Sequence, residues 1–303
     1  MSQPDETELL PPAGRVVVIT GGNGGVGRET AKVLARQGAH VVLAVRNEEK
    51  GRAAAITMDG SVRVRRLDLA DLSSVHAFAE SFPEPIDVLI NNAGISIPPL
   101  RRTVDGFESQ FGTNHLGHFA LTNLLLPQVR HRVVTVGSLV HLIGRVDLTD
   151  LNWQRRQYRP YGAYGQSKLA NHLFAHELHR RLTEVGSPVI SVVAHPGIAS
   201  TNLMNVEGAG LRQRLEKALV QLIAQPAEAG ALPTLYAATA DVPSDSYIGP
   251  RHLMGLRGAP APAQRAAKTR DGETAQRLWE ESESLTGTSF PARSIQTRKD
   301  ADN

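Results

Sequence analysis

Short apolar runs alternate with amphipathic stretches along most of the chain. Arg15-Val-Val-Val-Ile-Thr20 is rich in β-branched residues and continuously apolar, as a strand covered on both faces must be. His40–Val45, Ser61–Leu67, Ile86–Ile90, His131–Val136 and Pro188–Ala194 read as five further strands. Between them, Arg28–Gln37, Glu48–Thr57, Asp71–Phe82, a long stretch within Arg101–Gln128 and the residues after Tyr161 show helical spacing. Asp71 stands where a helix N-cap is wanted. The Pro-, Gly- and Ala-rich residues 256–263 read as loop.

At least six strand–helix alternations predict an α/β fold, a doubly wound parallel sheet with helices on both faces. Such sheets bind ligands beyond the carboxyl ends of their strands. The glycine turn after Thr20, Asp68, Asn91–Gly94, Ser138 and Pro196–Gly197 all follow strand ends, so the topology gathers them at one edge. With no long linker and no repeat, a single domain over 14–287 is expected, flanked by flexible tails at 1–13 and 288–303.

Composition narrows the function classes. The 303 residues are 41% hydrophobic and 21% charged, with a formal net charge of +3. The basic residues are scattered, which argues against nucleic-acid binding. The absence of cysteine excludes disulfides, thiolate catalysis and Cys-ligated metal. No apolar run approaches the roughly 20 residues of a membrane span. The polar, acidic start lacks the pattern of a signal peptide, so a cytoplasmic setting is expected.

Strand, glycine turn, helix is the context of a nucleotide-binding loop, and residues 15–37 provide it around Gly21-Gly-Asn-Gly-Gly-Val-Gly27. In dinucleotide folds an acidic residue at the end of the second strand holds the ribose 2′-hydroxyl. Here Val45 is followed by Arg46, which suits a 2′-phosphate, so NADP(H) is favoured over NAD(H), with Arg28 as a second cation. A plain surface charge is the alternative for Arg46. Tyr164 and Lys168 lie four residues apart, on one face of a helix. A phenol titrates near pH 10. An ammonium beside it would favour the phenolate and make the pair a proton donor and acceptor for a carbonyl or alcohol. Many helices carry such a pair on a solvated face. Tyr161 is a rival phenol, but its residue at i+4 is Gly165.

Together these motifs resemble the short-chain dehydrogenase/reductase family over about residues 14–287. Thr20-Gly21-Gly-Asn-Gly-Gly25-Val-Gly27 is similar to its T-G-x3-G-x-G turn, and Asn91-Asn92-Ala93-Gly94 to its N-N-A-G segment. Asn114, Ser138, Tyr164 and Lys168 match its Asn-Ser-Tyr-Lys tetrad. Within the family, the long gap from Ser138 to Tyr164, the run Ser167–Phe174 and Tyr247-Ile-Gly-Pro250 resemble the retinol dehydrogenase and WW-domain oxidoreductase branch. The resemblance implies a Rossmann-like fold. It also implies cofactor contacts at Gly21, Asn23, Gly25, Val26, Gly27, Arg46, Asp68, Leu69, Asn92, Ala93, Gly94, Tyr164, Lys168, Pro196, Gly197, Ile198 and Thr201. It implies no metal and a small-molecule carbonyl or alcohol as substrate, lipophilic in the manner of a retinoid or steroid. Many relatives pair as homo-oligomers through helices near 103–128 and 162–184, an arrangement that the basic, His-rich positions on the second count against here. Tyr164 would be the general acid/base, Ser138 would bind the substrate oxygen, Lys168 would hold the nicotinamide ribose and tune Tyr164, and Asn114 would position a water. An NAD(H)-dependent alcohol dehydrogenase and a low-turnover cofactor-binding regulator are the rival readings.

The substrate pocket is expected from Ile198–Gln225 and the insert His141–Tyr161. Leu203, Met204, Leu211, Leu215, Leu219 and Leu222 fit either a lipophilic lining or a helix covering the core. His172, His176 and His179 lie at i, i+4 and i+7, a spacing that can bind zinc, but no Glu follows His172 and a polar outer face is expected; His115, His118 and His141 read as packing or rim residues.

Overall fold

The computed structural model describes residues 13–82, 84–197 and 225–302, with side chains to residue 297. The expectations for Ile198, Thr201 and the leucine-rich stretch to residue 224 lie outside these residues.

Eight strands form one sheet: β1 (Val16–Thr20), β2 (His40–Val45), β3 (Ser61–Arg66), β4 (Ile86–Asn91), β5 (Val129–Val136), β6 (Ile190–Ala194), β7 (Tyr247–His252) and β8 (Arg257–Pro262). Their order is β3-β2-β1-β4-β5-β6-β7-β8. Every pairing is parallel except β7 with β8. The order reverses between β1 and β4, and that crevice is where such sheets bind ligands.

The strand runs are apolar at consecutive positions because both faces are covered. Val17, Ile19, Val41 and Leu43 pack on one side with α1 (Gly25–Arg36) and α7 (Ala227–Thr239). Val18, Val42 and Leu89 pack on the other with α3 (Leu72–Glu80), α5 (Gly117–Leu125) and α6 (Pro160–Glu184). Asp71 caps α3, its Oδ1 accepting the Ser73 and Ser74 N–H groups at 3.0 and 3.3 Å. Asn47 does the same for α2 (Glu48–Ala55).

Three expectations are corrected. Residues 257–262 form β8 rather than a loop, and as the last strand of the order β8 tolerates Pro260 and Pro262. The helix expected within 101–128 begins at Ser109, as α4 (Ser109–Phe111), and passes through a π turn at Gly112–Leu116 into α5. The residues after 287, expected as a flexible tail, include α9 (Ala292–Asp302), and Ile295 is buried against the core. Among the described residues the remaining α-helix, α8 (Gly272–Thr286), packs Trp279 between Phe119 and Phe174.

Candidate active site

The glycine turn leaves β1 at Thr20 and opens α1. Gly21 has φ +65°, and a Cβ there would stand 3.0 Å from that of Ala93. A Cβ on Gly27 would collide with the Asn92 side-chain amide. The two segments are thus pressed together, and bonds hold them so. The Thr20 hydroxyl accepts the N–H groups of Asn92 and Ala93, each at 2.9 Å, and the Asn92 amide donates to the Thr20 carbonyl at 2.7 Å. The first turn of α1, Gly25-Val26-Gly27, follows an extended Gly24 without a side-chain cap, so its N–H groups remain available to an anion. The half-buried Asn23 lies in the same turn.

Asp68 follows β3 and binds the Ala70 N–H through Oδ1 at 3.0 Å. Leu69 is in the core, and its carbonyl packs against Gly117, where a Cβ would strike it. Arg46 is exposed at the end of β2 and makes no ion pair among the described residues. Arg28 is engaged, donating to Thr57 at 3.0 Å. Pro196 and Gly197 follow β6; Gly197 has φ +66°, and a Cβ there would strike the Leu256 carbonyl.

Asn114, Ser138, and the pair Tyr164 and Lys168 come from three elements to the same edge: the π turn, the end of β5 and α6. Asn114, in the π turn, grips the backbone of Ile95: its Oδ1 accepts the N–H at 2.8 Å and its Nδ2 donates to the carbonyl at 2.9 Å. Gly94 lies at this junction, where a Cβ would stand 3.2 Å from Asn114 Oδ1 and 3.8 Å from Lys168 Nζ. Lys168 is 4% exposed and donates to the Val136 carbonyl at 3.0 Å. Ser138 extends from β5, and its Oγ accepts the Val140 N–H at 3.3 Å, capping the 3-10 turn Leu139–Leu142.

The electrostatics differ from the expectation for Tyr164. Burial pushes its phenol up to about 12, and the nearby Ser138 hydroxyl pulls the other way. Burial also brings Lys168 down to about 8. The ammonium stands 5.9 Å from the Tyr164 ring centre and is turned to the Val136 carbonyl.

A hydrogen-bonded chain that the sequence did not reveal runs beneath these residues. His118 Nδ1 lies 3.0 Å from the Asn114 carbonyl, which can only accept, so Nδ1 carries a proton. His118 Nε2 then accepts from the Thr20 hydroxyl at 2.9 Å. Burial depresses this imidazole to about 4 and keeps it neutral. The chain joins the end of β1, the Asn92–Ala93 segment and the π turn of Asn114.

The short chain dehydrogenase family model matches residues 15–211, which span the glycine turn and all four tetrad positions. The chain is a short-chain dehydrogenase/reductase. As such it is an oxidoreductase that works with NAD(P). Human retinol dehydrogenase 13 is 42% identical over 295 residues, covering 92% of this chain and 86% of that one. Mouse polyprenol dehydrogenase is 42% identical over 296 residues, with the same coverages of 92% and 86%. A crystal structure of an uncharacterized protein from Mycobacterium paratuberculosis superposes with a TM-score of 0.84 at 52% identity, over 96% of this chain and 100% of that one. The expected retinol dehydrogenase-like branch agrees with these relatives.

The histidines of this dehydrogenase part company. His172 is not on a polar face: it is fully buried, its ring tilted against His141 at 4.1 Å and edge-on to Tyr247 at 4.9 Å. His176 instead meets Asp245 at 3.2 Å, and His179 meets Ser244 at 2.8 Å. His115 and His141 are buried rather than at a rim. The rival phenol Tyr161 is 60% exposed, whereas Tyr164 is 8% exposed.

Proposed function

We propose that this dehydrogenase uses NADP(H) to interconvert a lipophilic alcohol and its carbonyl, with Tyr164 as general acid/base. The observation that carries the reading is the convergence of Ser138, Tyr164 and Lys168 beside the Gly94–Asn114 junction, at the sheet edge that also holds the glycine turn. The fit to a dinucleotide rests on that turn: α1 offers uncapped N–H groups, and the glycines around it bring backbone close to backbone. Gly21, Asn23, Gly25, Val26 and Gly27 would hold the pyrophosphate side, and Asp68 and Leu69 the adenine side. Asn92–Gly94, Pro196, Gly197, Ile198 and Thr201 would lie along the nicotinamide half. Arg46, exposed and unpaired with any acid among the described residues, would meet the 2′-phosphate.

When bound, the nicotinamide supplies or accepts the hydride. Burial favours the protonated phenol of Tyr164, so in the reductive direction it has a proton to give the carbonyl oxygen. Ser138 donates a hydrogen bond to that oxygen and stabilises its developing charge. Lys168 orients the ribose, and Asn114, fixed on Ile95, positions a water beside the lysine. The lipophilic substrate class is supported by relatives named for retinol and polyprenol. A cytoplasmic setting belongs to the same proposal; among the described residues no helix is long and apolar enough to cross a membrane.

The test is a pair of fluorescence titrations with NADPH and NADH, followed by turnover on aldehydes. Arg46→Ala is expected to weaken NADPH about 10–100-fold and leave NADH nearly unchanged, the size of a charge-assisted contact. Tyr164→Phe is expected to lower turnover by about 10²–10⁴-fold while keeping cofactor affinity. Equal NADH and NADPH binding, or a Tyr164→Phe enzyme of near wild-type rate, would refute the corresponding assignment.

A further inference from the structure

Ile97 has φ +57°, a left-handed conformation that a β-branched residue adopts only under constraint. It lies three residues beyond Gly94, in the loop that leaves β4 at the site edge. Such outliers persist where the surroundings over-determine them, and they cluster at functional sites. Here the constraint is Gln110. Its Oε1 accepts the Ile97 N–H at 2.8 Å. Its Nε2 donates to the Pro160 carbonyl and to the Tyr158 hydroxyl, both at 3.0 Å. An N–H can only donate and a carbonyl can only accept, so the amide has one possible orientation. Gln110 is fully buried. Glu108, also fully buried, accepts the Tyr158 hydroxyl at 3.0 Å and the Gln110 and Phe111 N–H groups at 2.9 and 2.8 Å.

Two features give this network a role beyond holding the fold. Gln110 and Asn114 are four residues apart, and each grips the same loop: Asn114 at Ile95, Gln110 at Ile97. Pro160 is the first residue of α6, one turn before Tyr164. Gln110 therefore spans the gap between the loop after β4 and the helix that carries the phenol. We propose that Gln110 is a positioning residue. It sets the separation between the Ile97 loop and the start of α6, and so aligns the substrate with Tyr164, without taking part in cofactor binding. This rests on the oxidoreductase reading given above.

The test compares Gln110→Met, Gln110→Glu and Ile97→Gly with wild type. The readouts are NADPH affinity by fluorescence, kcat and KM over a series of linear aliphatic aldehydes, and Tm. Gln110→Met keeps the side-chain length and loses all three bonds. It is expected to lower kcat at least tenfold across the series, with NADPH affinity within threefold of wild type. Gln110→Glu keeps an acceptor for Ile97 but sets a carboxylate oxygen against the Pro160 carbonyl, and is expected to lose activity comparably. Ile97→Gly removes the strain while keeping the N–H, so Tm should hold or rise while kcat/KM falls and selectivity between short and long aldehydes narrows. If Gln110→Met does not fold, the Ile97→Gly result decides: unchanged kcat/KM over the whole series overturns the inference. Gln110 variants that lose Tm but keep kcat and KM within twofold overturn it as well, leaving a structural role only. A wild-type protein that binds neither dinucleotide overturns this inference together with the reading beneath it, whereas an active wild type with indifferent variants overturns this inference alone.

Discussion

Lys168 is an ammonium in the core, held by the Val136 carbonyl at 3.0 Å. Burial lowers its pKa from 10.5 to about 8. Between those values the unfolded chain keeps a proton that the folded chain has released. The unfolded state thus binds more protons there, and this lysine's contribution makes stability rise with pH across that window. At and below pH 8 the penalty is present in full, on the order of 3 kcal/mol as an upper figure. Lys168→Met should therefore be more stable than wild type near pH 7. The difference should shrink as pH rises from 8 to 10.5, and little of it should remain above. Urea melts of both proteins at several pH values check this, and a difference that stays flat through the window would contradict it. The same variant should lose turnover. Burying a charge at this position is a stability cost that a purely structural residue would not carry.

At the scale of elements, α9 makes the plainest forecast. Phe290 faces Trp279 with ring centres 6.1 Å apart, and Glu283 accepts both the Trp279 indole N–H at 2.9 Å and the Phe290 N–H at 3.0 Å. Ile295 is 3% exposed. Ile295→Ala should then cost about 2–5 kcal/mol, as large-to-small changes in cores do. A chain ending at residue 287 should melt at a lower temperature than the full one. Equal melting temperatures in calorimetry would return the segment to the status of a tail. Its helix was hard to read because Ala292–Asp302 is mostly polar and its anchors are isolated. The strands β1, β2 and β5 were legible for the opposite reason: burial on both faces demands consecutive apolar residues, and Val17-Val18-Ile19 and Val41-Val42-Leu43 supply them. β8 was hidden by Pro260 and Pro262, which an edge strand admits and a propensity argument rejects. The delayed start at Ser109 was hidden because Glu108, a residue ordinarily placed inside a first turn, serves as the cap. Of the site, the glycine turn and the tetrad were readable from order and spacing. Gln110, His118 and Thr20 were not, since their roles depend on partners 13 to 98 residues away.

At the scale of the whole molecule, α8 decides which faces can meet a partner. Pairing through helices near 103–128 and 162–184, the arrangement weighed from the sequence, requires those helices to present an open surface. In the structure α8 lies on them. Trp279 stacks on Phe174 of α6 with planes 10° apart, at a ring-centre distance of 5.6 Å, and meets Phe119 of α5 edge-on at 4.8 Å. Arg181 covers the other part of the indole, with its guanidinium 4.6 Å from the ring centre. His115 bonds Ser282 at 2.9 Å within the same contact. A second copy that used the part of this surface under α8 would displace α8 and expose a buried tryptophan, a loss of several kcal/mol by the usual cost of uncovering a large aromatic. A wet pairing interface would be hard pressed to repay that. The expected outcome is that self-association, where light scattering detects any, does not run through α5 and α6. Cross-links between copies should map elsewhere, and charge reversal at Glu184, exposed near the end of α6, should leave the mass in solution unchanged. Cross-links joining α6 of one copy to α6 of another would show that α8 yields. In that case the Trp279 indole, now solvent-exposed, should shift its fluorescence to the red as the copies associate.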